Sequence, residues 1–205
     1  MSQNPEAIEK LKHAPAAADV AELIRRRWSP RAFADKAVSS DDVKKLFEAA
    51  RWAASSYNEQ PWRFLVGYRG DETYQKIFDS LVEFNQGWAK SAPVLILSAG
   101  KKTFTHNGSP NHHGLYDTGA ATAYLVLQAT ELGMHAHSMG GFSQEKAREA
   151  FAIPDDFIIG AVTAVGYFGD PDTLPDQLRQ QETSPRQRKP LSEIVFTAWE
   201  RPVTF

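Results

Sequence analysis

A chain of 205 residues with 42% hydrophobic side chains is long enough for one folded domain with a sizeable core. Its formal net charge of −2 supplies no bulk attraction to polyanions, so neither a nucleic-acid partner nor a membrane surface is expected. The complete absence of cysteine excludes disulfides, thiolate catalysis and cysteine-ligated metals, and points to a reducing, cytoplasmic setting.

Residues Met1 to Ala16 read as a flexible leader without the apolar core of a signal peptide, and 17–205 as a single domain. From Ala17, the run AADVAELIRRR sets Val20, Leu23 and Ile24 on one helical face and ends in three cations favoured at a helix C-terminus. Pro30 in WSPRAF stops further helix and leaves Ser29 and Arg31 as polar donors. Ser39 with Asp42 three residues on signals the next helix start. Val43, Leu46, Phe47 and Ala50 then give it an amphipathic face. The stretch RWAASSYNEQPWRFLVG follows, from Arg51 to Gly67. Pro61 bars a continuing helix and Trp62, Phe64 and Val66 alternate as in a strand, which leaves Ser55, Ser56, Asn58 and Gln60 in the turn between. On residue types alone this is either an ordinary helix–strand connection or a polar ligand-binding turn.

Tyr74, Ile77, Phe78 and Leu81 mark another helix, and the apolar run from Pro93 to Ser98 a buried strand. Lys101 to Gly114 is polar and reads as a surface loop. Asp117 to Leu132 is a helix apolar nearly all round, stopped by Gly133, which demands cover on several sides; it is too short and too polar to span a bilayer. Ser143 caps a helix to about Phe151, and Phe157 to Tyr167 is strand-like. Beyond Gly169 the chain is polar and proline-punctuated with no core of its own. The tail carries Phe196, Trp199 and Phe205, aromatic enough to need a neighbour.

Two arginine clusters stand far apart: Arg25 to Arg31, and Arg186 and Arg188 beside Lys189. Guanidinium forks grip phosphate bidentately, so the clusters either converge on one phosphate or line solvated basic faces. Gly140 and Gly141 after Met139 either let a backbone N–H approach a planar ring or form a plain turn. His106, His112, His113, His135 and His137 lack the spacing of a metal site and read as polar edge or substrate-gate residues; no metal is expected. Ala136 to Gly140 imitates a nucleophile elbow around Ser138, but every histidine precedes Ser138, whereas that fold needs acid and histidine after it. Neither a dinucleotide fingerprint nor a P-loop occurs, so a nicotinamide substrate would have no dedicated fold.

The order of these signals carries a resemblance. Arg-x-Ser-x-Arg near the start is followed by Ser-Ser-x-Asn-x-Gln-Pro-Trp after the next helix, then by Asn-Gln-x-Trp before an Ala-Pro-Val strand entry. An apolar helix opens with Asp-x-Gly, and Gly-Gly-Phe and Arg-x-Arg-Lys-Pro-Leu come after it. From about Ala21 to about Val195 the chain resembles the FMN-dependent nitroreductase family. That resemblance implies an α+β fold of three layers, α/β/α, with a mixed, largely antiparallel sheet flanked by helices, in an intertwined homodimer whose segment from about 170 to 205 packs on the partner. It implies FMN as cofactor, held at phosphate, ribityl and pyrimidine edge by Arg27, Trp28 (through its backbone), Ser29 and Arg31. Arg186 and Arg188 would close on the phosphate. Ala54, Ser55, Ser56 and Asn58 would come from the other subunit, Asn85 would face the pyrimidine side, and Met139, Gly140 and Gly141 would line the ring. Ala54 stands where many relatives have proline and Trp28 where many have a second basic residue; both positions act through backbone. The implied activity is ping-pong reduction of nitroaromatics, quinones or related small-molecule electron acceptors by NADH or NADPH. Hydride would pass through the flavin N5 near the Gly140 backbone N–H, and no acid or base residue is named. Other flavin reactions on the same scaffold, reductive dehalogenation or flavin breakdown, and a non-catalytic FMN-binding protein are the alternatives. The loop from Lys101 to Gly114 would set substrate choice.

Overall fold

The computed structural model of the protein describes residues 4–204. Its centre is a four-stranded sheet of β1 (Trp62–Tyr68), β2 (Val94–Lys101), β3 (His135–Met139) and β4 (Phe157–Gly166), in the order β1-β2-β4-β3. Each of its three strand pairs is antiparallel. The central strand β2 is buried on both faces, as its unbroken apolar run requires. Leu95 and Leu97 enter one core with Ile77, Trp88 and Leu178, while Val94 and Ile96 enter the other with Leu46 and Leu125. Each such fully buried side chain contributes roughly 1.5–3 kcal/mol. Helices α4 (Glu72–Ser80), α5 (Glu83–Ala89), α7 (Gln144–Phe151) and α8 (Asp176–Glu182) contribute to the first core, α3 (Ser40–Arg51) and α6 (Gly114–Glu131) to the second. The result is the three-layer α+β arrangement.

Local chemistry explains the boundaries. At α3 the Ser39 hydroxyl accepts from the Asp42 N–H at 3.0 Å and donates to the Asp42 carboxylate at 2.8 Å. Gly133 ends α6 at φ 71°, a left-handed geometry that glycine adopts without a Cβ clash. The β2–β4 register slips between Leu97 and Ala99, where the Ser98 hydroxyl accepts from Ala161 N and donates to Ala161 O.

Four segments differ from the sequence reading. In place of a loose leader, Pro5–Leu11 forms α1, capped by Asn4 and docked through Ile8, which is 1% exposed. The helix after Ala17 is confined to α2 (Glu22–Arg26), and Val20 and Ile24 stay exposed, so its apolar face is not a core face. Helix α5 has no counterpart in the sequence reading, being a single amphipathic stretch interrupted by Gly87. The polar segment after Gly169 does reach the core, through Leu174 and Leu178. At the C-terminus β5 (Phe196–Ala198) and β6 (Arg201–Pro202) pair only with each other, and Leu191, Ile194 and Trp199 lie exposed, Trp199 at 89%. Phe205 and residues 1–3 lie outside the described residues. Helix α6 also leaves Leu115, Tyr116 and Tyr124 exposed. Among the described residues no helix is long and apolar enough to cross a membrane.

Candidate functional site

The arginine loop runs from Arg27 to Phe33 with no helix or strand of its own, so its backbone is fixed from outside. Arg31 N and Ala32 N donate to the carboxylate of Glu182, a residue 2% exposed on α8. Burial pushes the Glu182 carboxyl up, while those two donors and the charges of Lys12 and Arg31 pull it back. Lys12, itself buried, donates to the Gln181 and Ser184 carbonyls at 2.7 Å and lies 5.1 Å from the Trp28 ring centroid. Helix α1 and helix α8 thus clamp the loop from two sides. Trp28 is buried with its indole edge-on to His135 and Phe168, leaving only its backbone to face outward chemistry.

Three guanidinium groups gather here. Arg27 is held below its ordinary pKa first by burial and then by the Arg188 charge, and Arg186 by burial and then by Arg27 and Arg188. Arg27 donates to the Ser29 hydroxyl at 3.1 Å, and Arg186 to the Lys12 and Arg25 carbonyls. Among the described residues none of the three is in an ion pair with a carboxylate. Three like charges held together without a counter-charge fit a bound phosphate.

The glycine segment lies at the end of β3. Gly140 is exposed, and a Cβ there would meet nothing within 4 Å, so the backbone is open to a flat ligand. A Cβ on Gly141 would come within 2.6 Å of Asn85 Nδ2 and 3.1 Å of Val82. Asn85 donates to the Gly141 carbonyl at 2.9 Å and accepts from Trp88 Nε1 at 3.3 Å. Trp88 in turn lies 4.7 Å from the His137 ring and 6.0 Å beneath the Arg31 guanidinium. One protomer therefore joins Arg27, Ser29, Arg31, Arg186 and Arg188 to Met139, Gly140, Gly141 and Asn85.

The turn from Ala54 to Gln60 stands elsewhere. Ser56 N donates to the buried Asp117 carboxylate at 3.0 Å, and Gln60 N to the Ser55 hydroxyl at 3.0 Å. Tyr57, Asn58 and Gln60 all have φ between 51° and 54°. Each non-glycine residue in that region costs about 1–2 kcal/mol, a strain retained where function requires the geometry. Asp117 is near the start of α6, whereas Arg26 of the other half-site bonds Thr130 O near its end. Thirteen residues at 1.5 Å rise separate the two anchors by roughly 20 Å. Within one chain the turn and the arginines do not meet.

The loop from Lys101 to Gly114 is tied to this turn. Glu59 accepts from Thr105 N and Oγ1, and the rings of Tyr57, Phe104 and His106 lie 5.5–6.1 Å apart between centroids, edge-on or tilted. A cavity of about 330 Å³ runs between α6 and the sheet, lined by Ser98, Leu115, Thr118, Gly119, Ser138 and Gly160 among others. A larger groove of about 610 Å³ between α1 and α8 carries Asp172 and Asp176, the wrong charge for a phosphate. Among the described residues no three metal-binding side chains converge. The two strand histidines are not gate residues. His135 is 6% exposed and bonds Glu9 at 3.0 Å, and the His137 ring packs under the arginine loop. Sequence reasoning missed Lys12, Trp88, Asp117, His137 and Glu182 as supports; the i, i+2 spacing of His135 and His137 was the one signal that both sit on one face of a strand.

Comparison with known proteins identifies the family of the fold. The Nitroreductase family model matches residues 24–84 and 68–167. A solved structure described as an oxidoreductase containing FMN superposes with a TM-score of 0.84 at 37% identity, covering 89% of this chain and 93% of that one. A nitroreductase family protein from Clostridium difficile 630 superposes at 0.68 with 29% identity, covering 88% and 98%. The major NAD(P)H-flavin oxidoreductase of Aliivibrio fischeri is 37% identical over 89 residues, 42% of this chain and 40% of that protein. With the family model spanning well over half of the chain and the fold matching over 89% of it, this protein belongs to the nitroreductase family.

Proposed function

We propose that the protein is an FMN-dependent oxidoreductase that takes electrons from NADH or NADPH and passes them to nitroaromatics, quinones or related small-molecule acceptors. The carrying observation is the cluster of Arg27, Arg186 and Arg188 without a carboxylate partner among the described residues, at a loop that Arg31, Trp88 and Asn85 link to the segment holding the open Gly140 backbone. Arg27, Ser29, Arg31, Arg186 and Arg188 would hold phosphate and ribityl, the Trp28 backbone would support them, and Asn85, Met139, Gly140 and Gly141 would border the ring. When bound, FMN would supply the hydride chemistry. The chain would position it.

Ala54, Ser55, Ser56 and Asn58 would reach the same cofactor from a second copy of the chain. The roughly 20 Å between the two anchors along α6 supports that reading, and so do the exposed Leu115 and Tyr116 of α6 and the exposed Leu191, Ile194 and Trp199 near the C-terminus. The proposed assembly is a homodimer with two shared sites, in the cytoplasm. The Tyr57–Phe104–His106 trio, on the loop tied to the shared turn, is then placed to choose the acceptor.

Supernatant from heat-denatured protein should contain non-covalent FMN at close to one per chain. Recovery of FAD, or of no flavin after attempted reconstitution, would remove the reading. Arg188→Ala should weaken FMN binding by roughly 1.5–3 kcal/mol, the range of a hydrogen bond to a charged group. In steady state, double-reciprocal plots for donor and acceptor should be parallel, because the absence of a dinucleotide fingerprint leaves one open face for both. Intersecting lines would show that they bind together. Purified protein that turns over flavin itself would instead favour flavin breakdown.

A further inference from the structure

Two ends of the site are joined through one side chain, bonded directly to the first and linked to the second through two others. Pro30, at the centre of the arginine loop, is buried, and its carbonyl lies 2.9 Å from His137 Nδ1. A carbonyl only accepts, so Nδ1 carries the proton and donates. The other flank of the His137 ring meets Trp88, 2% exposed, at 4.7 Å between centroids. Trp88 Nε1 donates to Asn85 Oδ1, and Asn85 Nδ2 donates to the Gly141 carbonyl. The path from Pro30 to Gly141 is therefore continuous: hydrogen bond, ring contact, hydrogen bond, hydrogen bond. Among the described residues no other group bonds the Pro30 carbonyl, and backbone pairing holds the loop only at its far end, where Phe33 bridges Phe168 and Gly169 N donates to Ala32 O.

We infer that His137 is a positioning residue that, through Pro30 on one side and Trp88 and Asn85 on the other, sets the spacing between the arginine end and the glycine end of the cofactor site. This rests on the reading that the site takes FMN. Its chemistry is specific: a donor is needed at the place of Nδ1, and a flat ring is needed against Trp88. Two substitutions separate those needs. His137→Phe keeps the ring and removes the donor, leaving a buried carbonyl unpaired. His137→Asn keeps an N–H near the Nδ1 position and removes the ring.

The test titrates FMN into apoprotein of each variant, following flavin fluorescence, and records the visible circular dichroism of the bound flavin. Melting of each apoprotein reports folding separately. His137→Phe should raise the FMN dissociation constant by roughly tenfold or more, the loss expected when a buried acceptor loses its donor. His137→Asn should restore most of the affinity yet change the dichroism, because the Trp88–Asn85–Gly141 arm has lost its support. In a double-mutant cycle with Trp88→Phe, the two changes should be non-additive. Wild-type affinity and dichroism in folded His137→Phe would overturn the inference. So would equal losses in both variants that track only the melting temperature. If wild-type apoprotein takes up no FMN at all, the cofactor reading itself fails and this inference falls with it, whereas normal uptake by wild type with an indifferent His137 removes the inference alone.

Discussion

A one-to-one mixture of Arg27→Ala and Asn58→Ala chains, unfolded together and refolded, should recover NAD(P)H-dependent acceptor reduction that neither variant shows by itself. The expectation comes from the two anchors on α6. The turn holding Asn58 is bonded to Asp117, and Arg26, which ends α2 just before the arginine loop, to Thr130, roughly 20 Å along the same helix. On the proposed reading a cofactor is not gripped at both places by one chain, and each site would draw its arginines from one copy and its turn from the other. In a two-fold dimer of one chain of each kind, one site then collects both lesions and the other collects neither. Random pairing makes half the dimers mixed, and recovery should approach about a quarter of wild-type activity. Asn58→Ala should disable its site doubly, removing the amide and forcing alanine to a φ of 54°. A mixture that stays inactive despite proven heterodimers would assign both residues to a site within one chain.

The parts of this site that could be read in the sequence are those whose residue type names the chemistry. Arginines at 27, 31, 186 and 188, the serine–asparagine turn and the glycine pair each advertise a capacity, and the order of the motifs supplied the rest. The supports were opaque because a support is defined by its distant partner. Glu182 lies in a polar run indistinguishable from solvated helix until the fold brings it under Arg31, 151 positions away in the chain. Lys12 looked like part of a loose leader, and its burial follows only from the carbonyls that α8 turns towards it. Helix boundaries such as the Ser39 hydroxyl cap and the left-handed Gly133 stop were legible because the signal is local. The short α5 was not, since seven residues with a central glycine carry too little periodicity. The apolar surround of α6 was visible, and the structure leaves part of it exposed. A second chain as its cover is the proposal that the mixing experiment addresses.

The apoprotein should lose stability as the pH is lowered from about 6.5 towards 4, and His137 should account for much of the loss. Burial holds its imidazole down to about 4, with the Arg31 and Arg27 charges pushing the same way against the hydrogen bonds to the loop carbonyls. Between these values the unfolded chain binds a proton at this ring and the folded chain does not, so stability falls as pH falls. The full shift would correspond to about 3 kcal/mol, and partial exposure of the ring reduces the expected loss to roughly 2–3 kcal/mol. Glu182 runs the other way in part of the range. Its carboxyl is raised by burial, so protonation as the pH falls relieves a cost in the folded state. Carboxylates held low by partners, such as Glu9 beside His135, begin to matter only below their ordinary range. His137→Phe removes the one group and leaves the others, which makes the difference between the two proteins the quantity to measure. Urea unfolding followed at intervals from pH 7 to pH 4 should give a flatter profile for His137→Phe, its deficit relative to wild type shrinking as the pH drops. Parallel profiles would mean that the ring is already charged, or freely solvated, in the folded protein, and the neutral Nδ1–H donor beneath Pro30 would have to be given up.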